Sequence, residues 1–488
     1  MKRHLSGWVF GGLCVCATLL ATGSVSAQSD KAASERTEAL RLADAWLDSV
    51  QAYEHIPAVS AGVVVGDELV WAKGYGTIDA QHTVPASPKT IYSICSISKL
   101  FTSVSLMQQY DAGKVGLDDP ITTYLPWAKL KPLNEDSGPI TVRGILSHSA
   151  GLPRESDYPY WSGPDFPFPT TAQIQKKIGE QTALFPAERY FQYSNLGLTL
   201  AGDIVEGVAG EPYAQYAKAH VLDPLGLSDT RPYYPKDLLG KQMAVGYSAL
   251  KRDGTRDLLK PFDTNGVTPA AGYTSTVEDL GKFASWQFRL LRTGQTNLLK
   301  PSTLYEMQRV QFMDPNWKTS WGLGFSINHK GDKTYIGHGG SCPGYRTALT
   351  MRNADQVGVI VLMNAMESPG EDVEGVYAIL DKRKGYEFKD PPPASGMKLE
   401  DFAGHYSEQP WGSELVIVPW AGGLALLSLP DDKPGDDISF LKPKGRDVFR
   451  RVRDDGSEAE EITFQRDASG KVISFVHFSN PTRKLAEK

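Results

Sequence analysis

Strand-like sequence lies at the two ends of one long stretch, with helical sequence between, and this separation constrains the fold most. The runs Ala58–Val65 and Glu68–Ala72 read as strands joined by a Gly66-Asp67 turn. Strand-rich sequence resumes at Gly322–Asn328, Lys333–Ile336, Tyr345–Arg352 and Val357–Asn364. Helical periodicity flanks both groups, over Ser34–Ala52 (Leu40, Leu42, Ala43, Ala45, Trp46, Val50) and over Val373–Lys382. Between them the chain is mostly helix and loop, starting with a helix from Ser96 to about Ala112 that Gly113 ends. The pattern predicts an α/β (α+β) domain: an antiparallel sheet flanked by helices, plus an all-helical lobe.

A second domain follows. Pro391-Pro392-Pro393-Ala394-Ser395-Gly396 reads as a stiff linker. Beyond it come short alternating runs at Glu414–Val418, Leu424–Leu429, Asp447–Val452, Glu461–Gln465 and Val472–Phe478, separated by turn residues. Residues 397–488 are therefore expected to form a small all-β barrel or sandwich. At the other end, Lys2, Arg3 and His4 precede a short apolar stretch, Trp8–Ala21, and a small-residue site at Val25-Ser26-Ala27. These features predict an export signal, residues 1–27, cleaved after Ala27, which leaves the first domain at 28–390. Periplasmic or secreted location follows as an expectation. The apolar stretch is shorter than the roughly 20 residues a spanning helix needs, so no integral span is expected after cleavage.

Charge narrows the partners. The chain carries a formal −6, and losing Lys2 and Arg3 takes the mature protein to −8. With no long basic run, nucleic acid is not an expected partner. No His-Glu-x-x-His or Cys/His cluster suggests a metal, and neither Gly-x-Ser-x-Gly nor Gly-x-Gly-x-x-Gly occurs. No cofactor is expected.

Three short motifs carry chemistry. Ser96-Ile97-Ser98-Lys99 opens a helix, so residues i and i+3 share one face and Lys99 lies against the Ser96 hydroxyl. A lysine with a depressed pKa can accept that proton. A second copy, Ser439-Phe440-Leu441-Lys442, falls in strand sequence, where i and i+3 face opposite sides, and is discounted. Tyr193-Ser194-Asn195 supplies a tyrosine that, beside a lysine, is expected to lose its proton more readily and act as an acid/base. Asn195 is placed to hydrogen-bond Lys99 or a substrate amide. His338-Gly339-Gly340 follows a strand, and its paired glycines suit a substrate backbone lying close to an edge.

In this order and at these separations, the three motifs resemble the serine β-lactamase and penicillin-binding-protein superfamily, closest to its branch of class C β-lactamases, D-aminopeptidases and esterases. Trp71–Asp79, Ile140–Pro153, Ala271–Phe283 and Gly337–Gly344 add to the likeness, which covers about residues 35–385. The resemblance implies Ser96 as nucleophile, Lys99 and Tyr193 sharing the base role, and Asn195 supporting them. It also implies an oxyanion hole from the N–H groups of Ser96 and Ser341. His338 stands where many members have lysine. A neutral histidine weakens recognition of a substrate carboxylate; Arg346 is the candidate to restore the charge, and sequence does not place it. The resemblance further implies a Cys95–Cys342 disulfide, the alternative being two separate buried thiols. The C-terminal domain resembles the β-barrel appendages of some D-aminopeptidase relatives.

The implied function is an esterase or amidase, including a D-amino-acid peptidase-like one, acting on a small-molecule or peptide substrate. A true β-lactamase or DD-carboxypeptidase, and a non-catalytic binding protein on a hydrolase scaffold, are the alternatives. Sequence does not fix the oligomeric state. Asp157–Thr170, rich in aromatics and proline, is expected either to cover the cleft or to pack on the helical lobe.

Overall fold

The computed structural model describes residues 16–390 and 397–486. The linker at 391–396 and residues 1–15 of the expected export signal lie outside them. The first helix runs Cys16–Tyr53, longer than the periodicity indicated. Among the described residues, no helix is long and apolar enough to cross a membrane. Contacts divide the chain into two compact units, Leu47–Glu374 and the remainder.

In the first unit, β1 (Ala58–Val65) and β2 (Glu68–Gly76) form the expected hairpin, with Gly66 in the left-handed conformation at φ 58°. A two-stranded ladder of β3 (Tyr92–Cys95) and β4 (Tyr273–Ser275) lies apart from the main sheet. Then come β5 (Phe312–Met313), β6 (Ser320–Trp321), β7 (Ser326–Lys330), β8 (Lys333–Cys342), β9 (Tyr345–Arg352) and β10 (Val357–Met363). The main sheet is antiparallel in the order β2-β1-β10-β9-β8-β7-β6-β5. The chain's two strand groups therefore meet at β1 and β10, where Val59 pairs with Met363 and Val65 with Val357.

β1 is buried along nearly its whole length, as a valine-rich central strand should be. The helix Val277–Thr293 packs on it, and Gly62 permits the approach: a Cβ there would lie 2.4 Å from Val277 Cγ1. Gly322–Asn328, expected as one strand, is strand only from Ser326, and Gly322–Phe325 form the turn between β6 and β7. The N–H groups of Leu323 and Gly324 bond Met307 O and Leu146 O instead of a strand, and Gly324 sits at φ 85°.

The helical lobe contains Ser98–Asp111, Asn195–Ala209 and several shorter helices. Ser98–Asp111 buries 11 of its 14 residues, so it has almost no solvent face and serves as a core element. Phe101 stacks on Tyr273 at 5.2 Å and tilts against Phe283 at 4.5 Å. The Asn195–Ala209 helix is capped at one end by Ser194, whose Oγ accepts from Gly197 N–H, and at the other by Gly210 at φ 74°.

In the second unit, eight antiparallel strands run in sequence order: β11 (Gly404–Ser407), β12 (Glu414–Trp420), β13 (Gly423–Leu429), β14 (Ser439–Pro443), β15 (Val448–Val452), β16 (Glu458–Arg466), β17 (Val472–His477) and β18 (Asn480–Arg483). A bridge between Tyr406 and Lys484 joins last to first and nearly closes a barrel. Phe402, Tyr406, Phe449, Phe464 and Phe475 fill its interior. The discounted second Ser-x-x-Lys lies in β14, with Lys442 paired to Glu458. Within the same unit, Trp46 donates its indole N–H to Asp431 O, and Arg383 bonds Glu38.

Candidate active site

The chain turns from β3 into the Ser98–Asp111 helix through Ser96 and Ile97. Cys95 reaches φ 49°, an uncommon conformation for a residue with a Cβ. Ser98 secures the turn: its hydroxyl donates to Cys95 O and accepts from Tyr273 N–H at 2.9 Å. The second serine of the motif is thus structural, and Ser96 stays partly accessible beside it.

Lys99 is fully buried. Its Nζ meets three oxygens: Ser96 Oγ at 3.0 Å, Asn195 Oδ1 at 2.7 Å and Ala270 O at 2.7 Å. The i, i+3 spacing delivers the first contact, and the start of the Asn195–Ala209 helix delivers the second. Burial drives the lysine well below its usual pKa, with Arg154 acting in the same direction and the Glu155 carboxylate opposing.

Tyr193 lies across the lysine, with Nζ 4.9 Å from the ring centroid and the Arg154 guanidinium 5.0 Å from it. The neighbouring lysine was expected to make this phenol more acidic. Burial instead raises its pKa, and a hydrogen bond with Ser96 opposes this only in part. Tyr193 therefore rests protonated and can donate a hydrogen bond.

His338 projects from β8 with its ring 6.0 Å from that of Tyr193. Its Nδ1 donates to Gly339 O at 2.5 Å, which leaves a lone pair on a buried Nε2 with no partner among the described residues. Burial, with help from Lys99, pushes its pKa down to about 3, so the imidazole is neutral. β7 pairs with β8 only as far as Gly337, and from His338 to Cys342 the partner is β9 alone. Gly339 and Ser341 are exposed along that free edge. The two glycines differ in purpose. A Cβ on Gly340 would lie 2.3 Å from Ile94 O, so this glycine admits β3, whereas Gly339 has no contact nearer than 3.7 Å. Arg346 stands in register opposite Ser341.

Cys95 and Cys342 form a disulfide, with Cα atoms 5.7 Å apart. The bridge ties the residue before Ser96 to the residue after Ser341, so the two serines implied for one oxyanion site border one cross-link.

Sequence reasoning gave no role to four neighbours. His148 is buried, at φ 58°, with Nδ1 accepting from Ser194 N–H at 3.1 Å and its ring 4.4 Å from Tyr193. Trp321 stands edge-on to both His148 and His338, at 5.1 and 5.4 Å. Arg154 and Glu155 complete the set. Of these only His148 fell within a stretch that carried the family resemblance. The Asp157–Thr170 segment turns inward: Tyr160, Phe166 and Phe168 are buried, and Phe168 stacks on Phe262 at 5.5 Å. These three rings pack the segment into the interior. No group of residues suited to holding a metal ion occurs among the described residues.

Two outcomes follow from this geometry. Denatured, unreduced protein should show no reactive thiol at Cys95 or Cys342, and Cys342→Ser should lower stability by about 2–5 kcal/mol in chemical denaturation. His338 is neutral when folded but titrates near 6.5 when unfolded. Its contribution to stability is therefore complete above pH 6.5 and is lost as pH falls towards 3. His338→Gln should flatten that part of a melting-temperature profile against pH.

Residues 43–384 match the family described as Beta-lactamase. Protein flp of Staphylococcus aureus (strain MW2) is 27% identical over 318 residues, covering 64% of this chain and 60% of its own length. The chain thus spans about three-fifths of that relative. Among solved structures, the octameric penicillin-binding protein homologue from Pyrococcus abyssi superposes with a TM-score of 0.61 at 24% identity, covering 91% of this chain and 99% of its own. EstCE1, a hydrolase with promiscuous acyltransferase activity, gives 0.58 at 21% identity, covering 72% and 98%. At these identities the structural likeness shows the fold, and the family match carries the assignment. The chain belongs to the beta-lactamase family, within the superfamily of serine hydrolases that resemble penicillin-binding proteins.

Proposed function

We propose that this protein is an exported serine hydrolase that cleaves ester or amide bonds through an acyl-enzyme on Ser96. One observation carries the reading: a wholly buried lysine amine, depressed in pKa, lies 3.0 Å from a serine hydroxyl at the start of a helix. A neutral amine there takes the Ser96 proton as the oxygen attacks the carbonyl. The developing oxyanion is met by the N–H groups of Ser96 and Ser341, whose chain neighbours the disulfide joins. Tyr193, protonated at rest, passes its proton to the leaving group and recovers one from the Lys99 ammonium, which restores the neutral amine. Water then hydrolyses the acyl-Ser96.

The neutral His338 favours an ester or an uncharged amide over a carboxylate-bearing β-lactam. At this position a lysine would supply a permanent positive charge, and His338 supplies an unfilled acceptor instead. Export rests on Lys2, Arg3, the apolar Trp8–Ala21 and the Val25-Ser26-Ala27 site.

The mature protein should hydrolyse a chromogenic short-chain ester faster than a chromogenic cephalosporin. Ser96→Ala should lose about a thousandfold or more in kcat/KM on the better substrate. Equal activity in wild type and Ser96→Ala would overturn the nucleophile. In a secreting host, N-terminal sequencing of the processed protein should begin at Gln28. Retention of residues 1–27 would overturn export by cleavage.

A further inference from the structure

Glu155 follows the Leu152-Pro153-Arg154 segment, and its carboxylate is fully engaged. It accepts from Asn195 Nδ2 at 2.8 and 3.1 Å, from Arg154 Nε at 3.1 Å and from the hydroxyl of buried Tyr160. Its backbone carbonyl accepts from Gln181 Nε2 at 3.0 Å. An ionised carboxylate can only accept. Asn195 must therefore turn its NH2 towards Glu155, which leaves its Oδ1 towards Lys99.

That orientation decides where the lysine can act. Asn195 Oδ1 and Ala270 O, each 2.7 Å from Nζ, are acceptors without a proton to give. A neutral amine has two N–H bonds and one lone pair. The two fixed acceptors take the two N–H bonds, and the lone pair is left facing the Ser96 hydroxyl at 3.0 Å. With the amide reversed, its NH2 would capture that lone pair and Ser96 would lose its base.

We infer that Glu155 is a positioning residue which, by fixing the Asn195 amide, aims the Lys99 lone pair at Ser96. The inference rests on the proposed chemistry of Ser96. It is distinct from a charge effect, and the two differ in sign. The charged and titratable groups facing Lys99 are Glu155, Arg154, Tyr193, His148 and His338. Of these, Glu155 holds the lysine pKa up. Removing its charge alone would free more neutral amine at a given pH and speed the reaction. Losing the orientation would slow it.

The test is the rate at which a fluorophosphonate probe labels Ser96 in the full mature protein, measured against pH. Glu155→Ala should lower the high-pH plateau by on the order of tenfold to a hundredfold while the inflection moves to lower pH. Glu155→Gln keeps an acceptor for Asn195 Nδ2. It should recover the plateau to within about threefold, with the inflection still lowered. On an Asn195→Ala background, Glu155→Ala should cause no further loss, since the amide it orients is gone. If Glu155→Ala fails to give a cooperative thermal melt, Glu155→Asp replaces it. That variant withdraws the carboxylate by one methylene at constant charge and should slow the plateau about tenfold. A wild-type plateau in the folded Ala or Asp variant overturns the inference, as does a folded Gln variant as slow as Ala. A wild-type protein that the probe does not label at Ser96 overturns the hydrolase reading itself, and the positioning role with it.

Discussion

An amine withdrawn from water organises this site. An ammonium stripped of its hydration and given no carboxylate in direct contact is costly, so the fold either surrounds it with oxygens or lets it lose its proton. Here it does both. Three oxygens from three chain segments, Ser96, Asn195 and Ala270, converge on Lys99, and the nearest carboxylate stands one amide away. The helix that carries Lys99 must then be buried on nearly all sides, which explains why Ser98–Asp111 lacks the polar face of a surface helix.

The interior that buries the lysine desolvates its neighbours as well. The Tyr193 phenol is pushed up and the imidazoles of His148 and His338 are pushed down, each towards its uncharged form. The immediate wall is thus aromatic and neutral, with Arg154 above the tyrosine ring as the adjoining cation. Such a wall carries little net charge close to Ser96. The disulfide and the close packing of β3 against β8 hold Ser96 and the free edge together, and the glycine that admits β3 is as necessary to this arrangement as the cystine.

Much of this was legible in the chain. Ser96 and Lys99 declare themselves because helical spacing converts three positions into one face. The hairpin β1–β2 and strands β9 and β10 declare themselves through short runs rich in apolar, β-branched and aromatic residues, bounded by turns. Less legible were contacts without a period. Glu155 reaches Asn195 across 40 positions, and a lone glutamate in a loop has no spacing to betray it. Trp321 and His148 meet only because the sheet and the lobe bring them together. The sign of the Tyr193 shift was misread for a related reason: a nearby lysine is visible in sequence, whereas the desolvation that outweighs it is a property of the folded interior. Gly322–Asn328 read as one strand because its composition allows it, and the carbonyls that divert its N–H groups come from distant segments.

The two adjacent glycines of β8 have unequal evolutionary freedom. Gly340 is enclosed by backbone, and any side chain there must displace β3 and the turn it leads into. Gly339 faces open space on the unpaired edge and can accept a methyl group or more without disturbing the fold. Variation at this single position can therefore reshape the exposed edge beside Ser96 while Gly340 keeps β3 in place. Two neighbouring residues thus divide between them what packing fixes and what it leaves free to vary.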